Sequence, residues 1–274
     1  QQPVARYGFL HGLYPPGQPP HARVDDLKAN FWRVSTIEIP DYERLKQQGV
    51  QFQQILSDLY GYPFQQWHGR PAPYSHLAYW KAFVQKVAQT YKNQPVEWDI
   101  WNEPDIQFWD GTAQQFFETY CIAAKTLQQT LGPKAVIGGP SLSAYNASFL
   151  QQFLEYSLAH RCPVHFLSWH ELEATDAHLD LVVQHVSQAK KQWLNTNRYQ
   201  SIGLKTISLN EIIGPHATGH PGAILAYLKA VEQAAPHTVA RACWDVPETQ
   251  RNTCYDNSLG GLLTPQRQQP TVAW

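Results

Sequence analysis

The chain has 274 residues, which is long enough to bury a sizeable core as one large α/β barrel or as two ordinary domains. Its 21 Lys and Arg nearly balance its 22 Asp and Glu, and the net charge of −1 gives no indication of binding to nucleic acid or to an anionic membrane surface. No apolar run approaches the ~18 residues of a membrane span, and no signal-peptide pattern opens the chain, so we expect a soluble protein.

Short runs rich in β-branched and aromatic residues alternate with segments of helical periodicity. The predicted strands cover residues 7–13, 31–37, 50–56, 96–100, 135–140, 163–170, 204–210 and 239–244. The predicted helices cover 24–30, 42–48, 76–92, 112–131, 146–160, 177–194 and 221–234. This alternation predicts a single catalytic (β/α)8 TIM-barrel domain over residues 1–274, with no accessory β domain. Only residues 270–274 remain for the eighth helix, which we expect to be short or truncated.

The fourth predicted strand runs directly into Trp101-Asn102-Glu103-Pro104-Asp105. An Asn-Glu-Pro turn cannot continue a strand ladder, so the carboxyl group of Glu103 is presented at the C-terminal end of the strand. Nearby aromatic rings lower the local dielectric and favour the protonated carboxyl, which suits a general acid. A structural alternative for such a residue is a Glu that caps a helix or pairs with an Arg.

In a TIM barrel the active site lies at the C-terminal ends of the strands. The residues that the predicted strands bring there are His11, Arg33, Asn102, Glu103, His170, Glu211 and Trp244. Cleaving a glycoside with retention of configuration needs a carboxylic acid and a carboxylate ~5–5.5 Å apart. The pattern therefore predicts Glu103 as the acid/base and Glu211, after the seventh strand, as the nucleophile.

The other strand-end residues are predicted to bind the substrate or the nucleophile. Arg33 is expected to keep Glu211 ionised through a charge-assisted hydrogen bond, and Asn102 to donate to a sugar hydroxyl. His11 and His170 could bond sugar hydroxyls or the nucleophile, and Trp244 could stack on a sugar ring. The structural alternatives are an ordinary salt bridge, two satisfied histidines and a Trp that fills the barrel.

The motif Trp101-Asn102-Glu103-Pro104-Asp105 is followed in order by a long helix, Ile137-Gly138-Gly139-Pro140, Phe166-Leu167-Ser168-Trp169-His170 and Asn210-Glu211. This series resembles glycoside hydrolase family 39 of clan A, which holds β-xylosidases, α-L-iduronidases and some bacterial exopolysaccharide hydrolases. The resemblance covers residues 6–274 and implies a retaining mechanism with Glu103 as acid/base and Glu211 as nucleophile. The chain departs from the family in lacking β-rich accessory domains and in carrying Glu171-Leu172-Glu173 after His170.

The resemblance implies a carbohydrate substrate and no cofactor or metal ion. Because a bare barrel leaves its cleft open, we expect an endo-acting enzyme on a polysaccharide, such as a bacterial exopolysaccharide, that is secreted or periplasmic. The alternatives are an exo-acting β-xylosidase-like enzyme and a non-catalytic carbohydrate-binding barrel in polysaccharide assembly. Substrate selection is expected to reside in the loops 14–20, 57–73, 171–176 and 245–259. Other carboxylates near strand ends are Glu38, Glu171, Glu173 and Glu248.

The four cysteines have no CxxC spacing, which argues against a zinc ribbon or a redox dithiol. Cys243 and Cys254 are close enough in sequence to close a short loop with a disulfide. Free buried cysteines are the alternative.

Overall fold

The computed structural model of the chain describes residues 5–14, 19–57, 72–173, 176–244, 254, 257–264 and 269–274. Its strands are β1 (Arg6–Leu10), β2 (Phe31–Val34), β3 (Gln51–Leu56), β4 (Val96–Ile100), β5 (Val136–Leu142), β6 (Phe166–Glu171), β7 (Thr206–Ile212) and β8 (Thr238–Arg241). Its α-helices are α1 (His21–Asp26), α2 (Tyr42–Gln47), α3 (Leu77–Thr90), α4 (Ala113–Leu131), α5 (Ala147–His160), α6 (Asp176–Ala189) and α7 (Pro221–Ala234), and shorter 3-10 or π-helical segments cover Pro73–Ser75, Lys190–Leu194 and Gln200–Ile202. The strands follow one another in chain order around a closed barrel, which confirms the predicted (β/α)8 fold.

Some strand ends differ from the prediction by a few residues. β1 stops before His11, whose φ of 56° is left-handed and leaves the strand conformation. β7 continues through Glu211 to Ile212, and β8 ends at Arg241, three residues before Trp244. The predicted site residues therefore lie within one to three residues of a strand end.

The chain divides into two compact units, and the prediction of a single catalytic domain stays a prediction. The first unit comprises residues 1–52, 170–188 and 207–274. In it β1 pairs in parallel with both β2 and β8, and β7 pairs with β8. Gly8 is aligned with Phe31, and a Cβ atom at Gly8 would lie 1.5 Å from the Phe31 carbonyl oxygen. Only glycine allows this close approach of β1 to β2.

The second unit comprises residues 53–169 and 189–206. In it β4, β5 and β6 are paired in parallel in that order. Helix α4 begins with a capping box, in which Thr112 and Gln115 each bond the other's backbone N–H. A disulfide between Cys121 and Cys162 joins α4 to the chain just after α5. The sequence did not predict this pairing.

The described residues that follow β8 form no α-helix, where the sequence predicted one that is short or truncated. A cavity of about 660 Å3 lies in the first unit, next to the outer faces of β1 and β8. It is lined mainly by apolar side chains, including Phe9, Val239, Ile224, Leu228 and Val272.

The helices of the described residues include none that is both long enough and apolar enough to cross a bilayer. Much of the sequence in the loops that we expect to select the substrate lies outside the described residues, namely 15–18, 58–71, 174–175 and most of 245–256. The rival carboxylate Glu248 lies there too.

Candidate active site

Glu211 and Arg33 form a buried ion pair in the first unit. Glu211 is the sixth residue of β7 and is 6% exposed, while Arg33 in β2 is completely buried. Arg33 donates from Nη1 to Oε1 of Glu211 at 2.9 Å. A buried guanidinium is always charged and needs a carboxylate partner, so the pair holds Glu211 in its ionised form. An ionised carboxylate at this place is what the predicted nucleophile requires.

His170 approaches the same carboxylate from β6. Its Nε2 lies 3.6 Å from Oε1 of Glu211, somewhat beyond an ordinary hydrogen bond, and its side chain is fully buried. The structure thus brings together three of the predicted site residues, Arg33, His170 and Glu211. Because the imidazole and the guanidinium face one oxygen atom, they limit how the Glu211 carboxylate can turn.

His11 directly follows β1 and is buried in the same unit. Its Nδ1 lies 2.9 Å from the Tyr14 hydroxyl, its backbone N–H donates to the Arg33 carbonyl at 2.9 Å, and its carbonyl accepts from the Trp32 indole at 2.7 Å. Burial, with a smaller contribution from the Arg33 charge, lowers the pKa of His11 to about 3. His11 is therefore neutral at physiological pH and acts as a hydrogen-bonding group without charge.

Glu103 lies on a strained turn of the second unit, just after β4. Its φ is 49° and that of Trp101 is 76°, values that bulky or charged residues rarely adopt. Each such residue costs roughly 1–3 kcal/mol and persists only where its surroundings fix it. The side chain of Glu103 is 9% exposed, and Asn102 beside it is also buried.

The surroundings that fix this turn are hydrogen bonds to the end of β5 and to the residue just after it. The Glu103 N–H donates to the Ser141 carbonyl at 2.8 Å. Asp105 accepts from both the N–H and the hydroxyl of Ser143, at 2.9 and 2.8 Å. Ser141 is itself anchored through its hydroxyl to the buried Asp99 at 2.6 Å. The backbone of Glu103 is therefore held on a rigid base.

A row of edge-to-face aromatic rings supports the same turn. Trp101 packs against Trp80 and Trp109, with ring centroids 5.9 and 5.2 Å apart, and Trp109 packs against Phe116 at 5.5 Å. The Trp101 indole donates to the Phe108 carbonyl at 3.1 Å. These apolar faces surround the turn, as predicted from the aromatic residues around the motif.

Trp244 lies three residues beyond β8 and is half-buried. It follows Cys243, which forms a disulfide with Cys254, one of the two possibilities left open by the sequence. Its buried indole nitrogen has no hydrogen-bond partner among the residues that the structure describes. Stacking of Trp244 on a sugar stays a prediction.

The rival carboxylates are in different surroundings. Glu171 is buried, and its two oxygens contact His178 at 3.1 Å and His185 at 2.9 Å. Glu173 has an 82% exposed side chain, and Glu38 is also exposed. Engagement of both Glu171 oxygens indicates a structural role for that residue.

Two polar residues near His11 were missed by the sequence reasoning. Tyr14 bonds His11, and Asn257 bonds the main chain of Tyr14. Tyr14 could have been found as an aromatic residue three positions after a strand-end histidine. Nothing in the sequence connects Asn257 to Tyr14, since 243 positions separate them.

Comparison with known proteins finds similar glycoside hydrolases. Over 121 residues the chain is 26% identical to a β-xylosidase from Geobacillus stearothermophilus. The aligned stretch covers 41% of this chain and 24% of that protein. A family 39 glycoside hydrolase from Bacteroides cellulosilyticus is similar in structure, with a TM-score of 0.64 at 10% identity over 99% of this chain and 62% of that one. The chain thus spans about a quarter of the β-xylosidase that it matches.

A third similar structure is a family 128 endo-β-1,3-glucanase from Amycolatopsis mediterranei in complex with laminaritriose, with a TM-score of 0.55 at 16% identity over 98% of this chain and 96% of that one. At such identities the two structures support the barrel fold. The sequence profile of the glycosyl hydrolases family 39 matches residues 61–203, more than half of the chain, including Glu103 and His170. The chain therefore belongs to glycosyl hydrolases family 39.

Proposed function

We propose that the chain hydrolyses O-glycosidic bonds with retention of configuration, using Glu211 as the nucleophile and Glu103 as the acid/base. The observation that carries the proposal is the 2.9 Å bond from buried Arg33 to Glu211, because it keeps a strand-end carboxylate charged. In a (β/α)8 barrel the C-terminal strand ends form one rim, which is the reason for pairing a residue after β4 with one near the end of β7.

The reaction proceeds in two displacements. The Glu211 carboxylate attacks the anomeric carbon while the bond to the leaving oxygen breaks, and Glu103 gives its proton to that oxygen. Glu103 then removes a proton from water, whose oxygen attacks the same carbon and expels Glu211. Two inversions give net retention, and neither step requires a cofactor or a metal ion.

The remaining strand-end residues are proposed to bind the sugar. Asn102 donates to the hydroxyl next to the anomeric carbon, a contact that strengthens in the transition state. His11 and His170 bond other hydroxyls or the Glu211 carboxylate, and Trp244 stacks on the ring.

For the substrate, we propose endo-hydrolysis of a polysaccharide such as a bacterial exopolysaccharide. The ground for this choice is the structural similarity to an endo-β-1,3-glucanase. A second candidate is an exo-acting β-xylosidase activity, which the match to a β-xylosidase favours.

A secreted or periplasmic location is proposed from the two disulfides, which persist in oxidising compartments.

The test is mass spectrometry of the products that the protein releases from a panel of polysaccharides and aryl glycosides. Oligosaccharides support endo-action, and monosaccharide alone supports the exo alternative. For the cleaved substrate, 1H NMR of the first-formed anomer should show the configuration of the original linkage.

Three Glu→Gln variants test the residue roles. Glu211→Gln and Glu103→Gln should each lower kcat on a polysaccharide by ~10³-fold or more, because each removes a group that takes part in bond making or proton transfer. Glu171→Gln is the matched control and should retain activity within about threefold, since its oxygens are engaged by two histidines. Full activity of Glu211→Gln, or loss confined to Glu171→Gln, would refute the assignment. Lack of cleavage by the folded wild type across the panel would favour the carbohydrate-binding barrel.

A further inference from the structure

A short segment after β8 is buried against the loop after β1. It comprises residues 257–261, here called the clamp segment, and its Asn257, Ser258 and Leu259 are almost fully buried. Asn is mostly exposed in folded proteins, so a buried Asn in a loop needs hydrogen-bond partners. The backbone conformation also suits an Asn at position 257, because its φ of 60° is left-handed and Asn tolerates such a φ better than most residues.

Asn257 bonds both main-chain groups of Tyr14. The Tyr14 N–H donates to Oδ1 of Asn257 at 2.8 Å, and Nδ2 of Asn257 donates to the Tyr14 carbonyl at 2.6 Å. One side chain thereby replaces the two bonds that a neighbouring strand would supply. The position and direction of Tyr14 are fixed by these bonds.

The clamp segment is held in turn by β8 and by a disulfide. The Arg241 guanidinium donates to the Gly260 carbonyl at 2.7 Å. Cys254, which precedes the segment by three residues, forms a disulfide with Cys243. The backbone carbonyl of Cys254 accepts from the Gly12 N–H at 3.3 Å. Asn257 is therefore attached to the scaffold on both sides and can act as a fixed support.

The side chain of Tyr14 in turn contacts His11. Its hydroxyl lies 2.9 Å from Nδ1 of His11 and 3.2 Å from Oγ of Ser35. When the Ser35 hydroxyl donates to Tyr14 and Tyr14 donates to Nδ1, a neutral His11 carries its proton on Nε2. His11 is then a hydrogen-bond donor, next to the residue that holds Glu211.

We propose that Asn257 is a positioning residue of the active site, which clamps the main chain of Tyr14 so that the Tyr14 hydroxyl fixes His11 as an Nε2–H donor to the sugar. The inference rests on the proposed glycosidase function, to which it adds a support outside the strand ends. Asn257 itself touches no reacting atom and acts through Tyr14 and His11.

The test uses single and double variants of the full chain. Asn257→Gly removes the amide and keeps the left-handed backbone, while Tyr14→Phe removes only the hydroxyl. Thr271→Val is the matched control, because it removes a 2.6 Å bond to Gly261 at the other end of the clamp segment. Thermal denaturation of every variant checks that it folds.

Kinetics on the substrate cleaved by wild type provide the first readout. Asn257→Gly and Tyr14→Phe should each lower kcat roughly tenfold with KM within about twofold, and the double variant should be no slower than the slower single variant. Thr271→Val should stay within about twofold of wild type. An Asn257→Gly variant as active as Thr271→Val, or full additivity in the double variant, would overturn the positioning role.

The second readout needs no substrate. In 15N-histidine-labelled protein, NMR of the His11 ring, assigned with His11→Asn, should give the neutral Nε2–H tautomer in wild type and a changed Nδ1 resonance in Asn257→Gly and Tyr14→Phe. An Nδ1–H tautomer in wild type, or an Nδ1 resonance that neither variant changes, would overturn the inference. Hydrolysis absent from wild type would overturn the proposed function, whereas an active wild type with an unaffected Asn257→Gly would overturn the inference alone.

Discussion

Replacing His11 with Asn should change how the stability of the protein depends on pH. The native state keeps His11 neutral, because burial and the Arg33 charge lower its pKa from 6.5 to about 3. Asn tolerates the left-handed φ of 56° and places an amide near Nδ1, so the contact with Tyr14 can persist.

The sign and size follow from proton linkage. Below pH 6.5 the unfolded state binds a proton at His11 that the native state does not bind until about pH 3, so the free energy of unfolding falls as the pH falls. Each pH unit in this window costs about 1.4 kcal/mol, and lowering the pH from 7 to 5 therefore removes about 2 kcal/mol. Stabilisation by the neutral His11 is fully present above pH 6.5.

The assay is denaturant unfolding of wild type and His11→Asn at several pH values between 7.5 and 5, followed by tryptophan fluorescence. The pKa values of His165 and His237 are also lowered, mainly by burial, but both residues are present in the two proteins and their effects cancel in the difference. We expect wild type to lose about 2 kcal/mol relative to the variant between pH 7 and 5. A difference that does not change with pH would refute the reasoning.

Three variants with substitutions outside the active site should change stability without changing the chemistry. Gly222→Ala should add roughly 0.5 kcal/mol in denaturant unfolding, because a Cβ there meets nothing within 4 Å and α7 gains a better helix former. Thr112→Ala should cost about 1 kcal/mol in the same assay, since it removes the cap that accepts from the Gln115 N–H. Replacing Cys121 and Cys162 together by Ala should cost about 2–4 kcal/mol and lower the melting temperature, with no loss of the barrel's circular dichroism at 20 °C.

The order of strands and helices could be predicted because the whole barrel obeys local rules. Short β-branched runs alternating with amphipathic segments predicted the eight strands and seven α-helices of the described residues to within a few residues. The ion pair of Arg33 with Glu211 was also predictable, since both residues occupy strand ends and have opposite charge. These contacts depend on the barrel as a whole and little on the loops.

Contacts made by loops could not be predicted. Asn257 reaches Tyr14 across 243 positions, and neither residue belongs to a strand or helix whose register the sequence gives. Likewise, the pairing of Cys121 with Cys162 depends on how α4 packs beside the end of α5, which periodicity alone does not determine.

The turn that carries Glu103 violates the local rules at two positions, Trp101 and Glu103, as a turn at a functional site often does. Neither Trp101 nor Glu103 prefers a left-handed φ, so the sequence gives no reason to expect one at both positions. Residues that break local preference occur where surrounding structure outweighs the cost, which is typical of functional sites. Here the Ser141 carbonyl and the Trp80–Trp101–Trp109 packing supply that surrounding structure. Because the backbone is fixed on both sides of Glu103, its carboxyl group can be presented at a strand end without the loss of backbone freedom that ordering a mobile loop would require.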